Sequence, residues 1–312
     1  MIPRWFDYII WDSLWKPSSH LRGDIPDVPP WDGSVQPGAT MLVWNTFGHG
    51  DCFQFARYLK LAAARVGRIV VQFDFHLSRL ARWLPGVSDV SPWFQGPLVP
   101  APDFHCPLLA LPMLLTQHDQ IPPPALVDVA LPEAPLSWLG RLETMPRPRV
   151  GVCWQGGKAN PIDPQRSFPV LSFSRLVDAG MNLVAVQKGE LITDFRIRSL
   201  GPDYQRGDWL DTAVTLRHLD LVIGPDTALP HLAGSLGVPT WLVVPTPCDW
   251  RWFPAKHDGQ LDESRTPWYP AMRIFRQQVP GDWISPFEQM ADASARKKFP
   301  ESGEKFSGPG VS

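Results

Sequence analysis

The residues with the greatest chemical potential gather in one run, Leu219-Asp-Leu-Val-Ile-Gly-Pro-Asp-Thr-Ala-Leu-Pro-His-Leu-Ala-Gly-Ser-Leu-Gly237. An apolar strand pattern (Leu219, Leu221, Val222, Ile223) stops at Gly224-Pro225, and a helical pattern (Leu229, Leu232, Ala233, Leu236) begins directly after Asp226-Thr227. Backbone N–H groups without helical partners, and the positive end of the helix dipole, then fall at Thr227, Ala228 and Leu229, an arrangement that attracts phosphate. Asp226 or Thr227 also reads as a plain helix cap. His231, one turn into the helix, reads either as a packed core histidine or as a donor to phosphate.

Other loops carry reactive types. In Gly48-His-Gly-Asp51, Gly48 and Gly50 let a backbone approach a ligand, and Asp51 opens a helix either as its cap or as a general base accepting a proton from an attacking hydroxyl. Phe53 stands where a dinucleotide fingerprint requires its third glycine. Trp154-Gln-Gly-Gly-Lys158, running on to Asp163 and Arg166-Ser167, sets glycines beside cations, as a diphosphate requires and as a solvated surface loop also shows. Gln187-Lys188-Gly-Glu190 offers Glu190 to both hydroxyls of a ribose, and Asp249-Trp250-Arg-Trp252 adds an aromatic ring and a cation. Each segment follows an apolar strand pattern, and in an open α/β sheet the loops after the strands share the edge where ligands bind.

The elements that position these loops alternate. Strand 41–44, a helix through about Arg65 and strand 68–73 form a βαβ unit, continued by helix 76–83, a short strand near 87–90 and the segment 104–115. A proline-rich stretch, 121–148, reads as a linker zone. The alternation restarts with strand 149–154, helix 171–179, strand 183–186, helix 211–218, strand 220–223, helix 229–236 and strand 240–244. The expected organisation is an irregular lead-in over 1–38, a Rossmann-like domain over 39–145, a second over 146–290 and a disordered tail over 291–312. The lead-in, with Trp5, Ile9, Ile10, Leu14 and Trp15, is expected to pack against the body, a membrane surface being the alternative.

Composition narrows the function. The 312-residue chain has a net charge of -2 and no basic footprint, which sets nucleic acid aside as a partner. Its four cysteines, Cys52, Cys106, Cys153 and Cys248, are widely spaced, which suggests a reducing compartment and no metal site. No apolar run approaches the ~18 residues of a membrane span. No signal-peptide pattern opens the chain, so the expected location is the cytoplasm, with the inner membrane face as a peripheral site. The 36 prolines punctuate many short elements, and the 15 tryptophans suit packed cores or sugar faces, the core reading covering most of them. The sequence holds no G-x-x-x-x-G-K-[ST], no H-E-x-x-H and no G-x-S-x-G.

Taken together, Asp226-Thr-Ala-Leu-Pro-His-Leu-Ala-Gly-Ser-Leu-Gly237, Trp154-Gln-Gly, Arg166-Ser167, Gln187-Lys-Gly189, Asp211-Thr212, Asp249-Trp-Arg-Trp252, Pro267-Trp-Tyr-Pro270 and Arg273-Ile-Phe-Arg-Gln277 resemble a known family. It is the glycosyltransferase-like domain that follows tetratricopeptide repeats in bacterial proteins, similar in turn to the ADP-heptose:lipopolysaccharide heptosyltransferases of glycosyltransferase family 9. The resemblance, over about 30–290, implies an α/β GT-B fold: two Rossmann-like doubly wound domains facing across a cleft. It further implies an inverting glycosyltransferase with a nucleotide-diphosphate sugar as donor, no metal and no separate cofactor. The acceptor would be a glycan, a lipid-linked sugar or a protein. By position, Asp51 matches the family's base; Asp226, Thr227 and His231 its donor turn; Lys158 its phosphate-contacting lysine; and Glu190 its ribose acid. Gly50, Arg166, Gln187, Lys188, Ala228 and Trp250 complete the expected donor-binding set. The chain departs from the repeat-linked pattern at Asn45-Thr-Phe-Gly48, where relatives carry Glu-Gln-Gly, and in Pro225 and Pro230 beside the donor turn. Two rival readings remain: a binding module of the same fold without turnover, and a sugar-nucleotide epimerase.

Overall fold

The computed structural model describes residues 27–45, 47–93, 98, 100–116, 121–133, 136–158, 160–189, 192, 196–257 and 260–296. They form two compact units, one of 27–131 with Asp208–Leu210, the other of 132–207 with 211–296. No helix among the described residues is long and apolar enough to cross a membrane.

The first unit is built on strand β1 (Gln36–Trp44), whose last residues, Met41, Leu42, Val43 and Trp44, are all buried. Four consecutive apolar residues with both faces covered are what a central parallel strand requires. Strands β2 (Val66–Gln72), β3 (Asp89–Val90) and β4 (Phe104–Pro107) complete a parallel sheet in the order β3-β2-β1-β4. β1 starts five residues before the expected strand because Gln36 to Gly38 are exposed and carry no apolar signal. Of the lead-in, Trp31 is buried and its backbone N–H donates to the His105 carbonyl at 2.9 Å, which fastens that segment to β4. The expected long helix is broken into α1 (His49–Phe55), a 3₁₀ turn (Ala56–Tyr58) and α2 (Leu59–Ala63). At the break, Arg57 turns inward and donates to the Gln54 and Pro122 carbonyls. After β2 comes a 3₁₀ turn (Phe75–Leu77) leading into α3 (Ser78–Ala81), and after β4 comes α4 (Leu111–Leu115).

The second unit is a six-stranded sheet in the order β12-β9-β8-β5-β6-β7, every pair parallel. Its strands are β5 (Arg149–Val152), β6 (Asn182–Ala185), β7 (Arg198–Ser199), β8 (Leu221–Pro225), β9 (Thr240–Val244) and β12 (Met272–Arg276); a separate hairpin joins β10 (Ala255–His257) to β11 (Gln260–Asp262). Helices α5 (Leu139–Glu143), α6 (Asp163–Arg166), α7 (Ser174–Asp178), α8 (Pro202–Arg206), α9 (Trp209–Leu216), α10 (Ala228–Ser235) and α11 (Ile284–Arg296) connect and cover the strands. One core holds Val150, Val152, Phe173, Leu183, Ile223, Val243, Phe275 and Phe287.

Two stretches depart from the sequence expectation. Within the supposed linker, residues 132–148 pack on the second unit: Trp138 and Leu142 are buried, and the Trp138 indole donates to Thr215 Oγ1 at 2.8 Å. The proline content masks an i, i+4, i+7 apolar series, Trp138, Leu142 and Met145, the spacing of one helix face. Likewise α11 runs through Arg296, six residues into the expected tail; the rest of that tail lies outside the described residues.

Each sheet reverses its winding once. The chain moves outward from β1 to β2 and β3, then returns to place β4 on the other side of β1; it moves from β5 to β6 and β7, then returns to place β8 beside β5. The strand ends therefore part between β1 and β4 and between β5 and β8, and ligands of doubly wound sheets bind at such points. At the second, Gly224 lets β8 lie against β5: a Cβ there would stand 2.3 Å from Cys153 Sγ. Gly224→Ala should therefore lower stability by about 1–3 kcal/mol, read as a lower urea midpoint with an unchanged m-value.

Candidate functional site

In the first unit the loop from β1 into α1 is held from below. Asn45, 3% exposed, donates through Nδ2 to the Phe47 carbonyl at 3.0 Å and to Cys52 Sγ at 2.9 Å. Gly48 occupies the cap position and Asp51 sits in the first helical turn, its N–H donating to the Gly48 carbonyl at 3.0 Å. Asp51 is therefore not the helix cap; as an acid in the first turn it is favoured by the dipole. Gly50 precedes it in the same turn. After β2, Asp74 Oδ1 accepts from the His76 N–H at 2.9 Å and lies 3.0 Å from His76 Nδ1 and 3.5 Å from His49 Nε2.

In the second unit four loops meet at the strand ends. The buried carboxylate of Asp163 organises the first: Oδ1 accepts from the Gly156 N–H at 3.0 Å and from Arg166 Nε at 3.2 Å, and Oδ2 accepts from Ser167 Oγ at 2.9 Å. Gly156 cannot be replaced without disturbance, because a Cβ there would lie 2.3 Å from Asp163 Oδ1 and 3.0 Å from Thr227 Cγ2. The next residue differs: no atom lies within 4 Å of where a Gly157 Cβ would be, so the loop is open there, beside Lys158. Arg166 also donates to the Asp226 carbonyl at 2.7 Å, tying the loop after β5 to the turn after β8. Gln187 ties in the third loop, its Oε1 accepting from the Trp154 and Gln155 N–H groups at 3.0 and 3.2 Å.

Asp226 is a second, half-buried carboxylate of the edge. Burial raises its pKa, but the hydrogen bond and charge of His231, the Trp252 indole and the Arg251 guanidinium more than offset this, and the carboxyl is held below the ordinary range. His231 Nε2 lies 3.5 Å from Asp226 Oδ1, and Nδ1 lies 2.9 Å from the Tyr269 hydroxyl. The Tyr269 ring reaches that position because residue 234 is glycine; a Cβ there would stand 2.6 Å from the ring. Thr227 is the cap residue of α10, yet its side chain makes no capping hydrogen bond; it faces the Cys153 thiol, whose pKa burial pushes up to about 12. Ala228 begins the helix, so the backbone of the first turn is presented without a side-chain cap. Trp250 stacks under the Arg251 guanidinium at 4.6 Å and meets Trp268 edge-on at 5.8 Å.

Several expected ligand contacts are thus occupied by the protein itself. Arg166 holds the Asp226 carbonyl, and His231 has a protein partner at each ring nitrogen, which favours the packed reading over donation to phosphate. The Lys188 ammonium lies 2.5 and 2.7 Å from the carbonyls of Tyr204 and Gly207 at the end of α8, where the dipole favours a cation. Glu190 lies outside the described residues. Sequence reasoning gave Asp163, Trp252 and Tyr269 no role of their own. Their only signal is position in polar or aromatic clusters: the Asp163 partners are local, whereas Tyr269 meets His231 38 residues away. Among the described residues no three His, Cys, Asp or Glu side chains gather as a metal site.

Because Asp226 titrates below the usual carboxylate range when folded, its stabilising contribution is complete above that range and disappears as pH falls through the folded value. Asp226→Asn should cost about 2 kcal/mol at pH 7, and thermal unfolding should show the gap from the parent chain closing below about pH 4.

Comparison with known proteins places this geometry. No family model matches the chain. Protein FlbA of Caulobacter vibrioides is 26% identical over 167 residues, 50% of this chain and 26% of FlbA, so the chain spans about a quarter of that relative's length. Among solved structures, E. coli ADP-heptose lps heptosyltransferase II aligns with 82% of this chain and 99% of its own at a TM-score of 0.52 and 12% identity. The glycosyl transferase family 9 protein of Veillonella parvula aligns with 86% and 98%, at 0.52 and 11% identity. E. coli heptosyltransferase WaaC with ADP aligns with 82% and 98%, at 0.51 and 12% identity. With two parallel-stranded α/β units of this topology, the chain has the GT-B fold of these glycosyltransferases.

Proposed function

We propose that the protein is an inverting, metal-independent glycosyltransferase that moves a sugar from a nucleotide diphosphate to an acceptor hydroxyl. The observation that carries this reading is the cross-tied edge of the second unit. There Asp163, Arg166 and Gln187 hold three strand-end loops against the uncapped first turn of α10. Such an edge suits a diphosphate, with backbone N–H groups and the helix dipole facing the anion and Lys158 beside the open Gly157. The similar WaaC structure was solved with ADP, and another with ADP-2-deoxy-2-fluoro heptose, which supports a nucleotide-sugar donor.

In the proposed reaction the acceptor oxygen attacks the anomeric carbon from the face opposite the leaving group. Its proton passes to Asp51, the carbon–oxygen bond to phosphate breaks, and the nucleoside diphosphate leaves with the electron pair. Arg166 and His231 act by position: Arg166 fixes the Asp226 carbonyl, and His231 fixes the Asp226 carboxylate for a sugar hydroxyl. The quoted motif runs further place the chain, in this reading, with the glycosyltransferase-like domains linked to tetratricopeptide repeats. The acceptor is a glycan, a lipid-linked sugar or a protein, and the reaction runs in the cytoplasm or at its membrane face.

Calorimetry with UDP-, GDP-, ADP- and dTDP-sugars identifies the donor. With that donor, Asp51→Asn should lower transfer by roughly 10²–10⁴-fold while donor affinity is unchanged. Normal transfer by Asp51→Asn sinks the assignment of the base, and saturable donor binding without turnover on any acceptor assigns the chain to the binding-module reading.

A further inference from the structure

Resting on the transferase reading, we propose that Trp209 and His49 form a brace that positions the turn of α1 carrying Asp51, and that a second proton on His49 opens it. Asp208–Leu210 belong to the first unit. There the Trp209 indole donates to His49 Nδ1 at 2.9 Å and stands edge-on to two rings of α1, that of His49 at 5.5 Å and 83° and that of Phe53 at 5.1 Å and 72°. His49 and Phe53 are four residues apart and so share one helix face. Asp51 lies between them in sequence and, at about 100° per residue, on the opposite face. One indole therefore holds the back of the turn whose front is Asp51. The indole's own segment is fixed by Asp208, which pairs with Arg79 at 3.1 Å through Oδ2 and accepts from the Leu210 N–H at 2.9 Å through Oδ1.

The hydrogen bond dictates a protonation state. An indole N–H only donates, so Nδ1 of His49 is the bare nitrogen and Nε2 carries the proton, 3.5 Å from Asp74 Oδ1. A proton added at Nδ1 would meet the indole N–H head-on, whereas Asp74 would gain a full ion pair. The ring thus has two arrangements: neutral and braced by Trp209, or charged and released from it toward Asp74. Burial holds the His49 imidazole below the usual histidine range, outweighing the attraction of Asp74. His76, whose Nδ1 lies 3.0 Å from the same oxygen of Asp74, also acts against the charge. Asp51 and Cys52 on α1 and the Arg79–Asp208 pair beside Trp209 are further titratable groups about it. Because the folded value lies below the unfolded one, the stabilisation by the brace is complete above the ordinary histidine range and is lost as pH falls through the folded value.

The test uses the full chain with nitrogen-15-labelled histidine, titrated by NMR. At neutral pH His49 should show the Nε2–H tautomer and should titrate below the ordinary value of about 6.5, with the Trp209 indole N–H resonance moving in step. The tautomer is read on the parent chain and needs no variant to fold. Trp209→Phe keeps a ring and removes the donor, so the His49 midpoint should rise by about 0.5–1 in pH. The second readout is release of nucleoside diphosphate from UDP-, GDP-, ADP- and dTDP-sugars, with water or added oligosaccharides as acceptor. In the parent chain its rate should fall on the acid side at the His49 midpoint. Trp209→Phe and His49→Gln should each lower kcat at neutral pH by about fivefold with the donor KM unchanged, and should abolish that acid limb, having no brace to open. The proposal is overturned if His49 carries its proton on Nδ1 at neutral pH, if Trp209→Phe leaves the midpoint in place, or if the variants slow turnover and keep the limb. Each of those results, obtained with turnover present, leaves the transferase reading standing. The expected titration without turnover of any of the four sugars overturns the transferase reading, and with it the positioning role, but not the proton-linked brace.

Discussion

A parallel strand must be followed by a crossover, and two neighbouring strands that send their crossovers to opposite sides leave a gap between the loops that follow them. In this chain that geometric requirement operates twice, beside β1 and beside β5, and the polar residues of interest collect at those two places. The sheet interiors could hardly accept them. β8 and β9 are buried along their whole length, so a charge there would face desolvation without compensation. At the strand ends, backbone N–H groups of turns and helix starts are available, and carboxylates such as Asp163 can be fully satisfied.

The second unit shows how a loop edge is made stiff. Its polar side chains are mostly fastened to backbone atoms of other loops: Gln187 to Trp154 and Gln155, Arg166 to Asp226, Lys188 to Tyr204 and Gly207. Each such bond ties segments that are distant in sequence, so the ordering entropy is met during folding, before any ligand arrives. What this edge leaves without side-chain cover is the backbone of the first turn of α10 and the loop at Gly157.

Much of this was legible from sequence, for local reasons. The passage from Leu221 through Asp226-Thr227 into Ala228 carries its own periodicity change, and strand β9 is legible at both ends. Asp51 stands out in the sequence because Gly48 and Gly50 precede it, although the cap position belongs to Gly48. What could not be read was every assignment that depends on a distant partner. The sequence shows Lys188 beside a glycine, as a phosphate ligand would be, and nothing in its neighbourhood reveals the carbonyls of Tyr204 and Gly207 that hold it. Trp138 was hidden for the same reason, its partner Thr215 lying 77 positions along the chain. The break of the long first helix at Arg57 likewise follows from a carbonyl at Pro122.

Cys153, pressed between Gly224 and Thr227 at the reversal of the second sheet, has one more consequence. A thiol pushed up to about 12 is ionised in only about one molecule in 10⁵ at neutral pH. Oxidants and electrophiles react with the thiolate, so burial keeps the sulfur at this strand-end edge in its less reactive form. The spacing of β5 and β8 thus rests on a small apolar filler, a thiol that burial keeps protonated, where a larger side chain would force the strands apart.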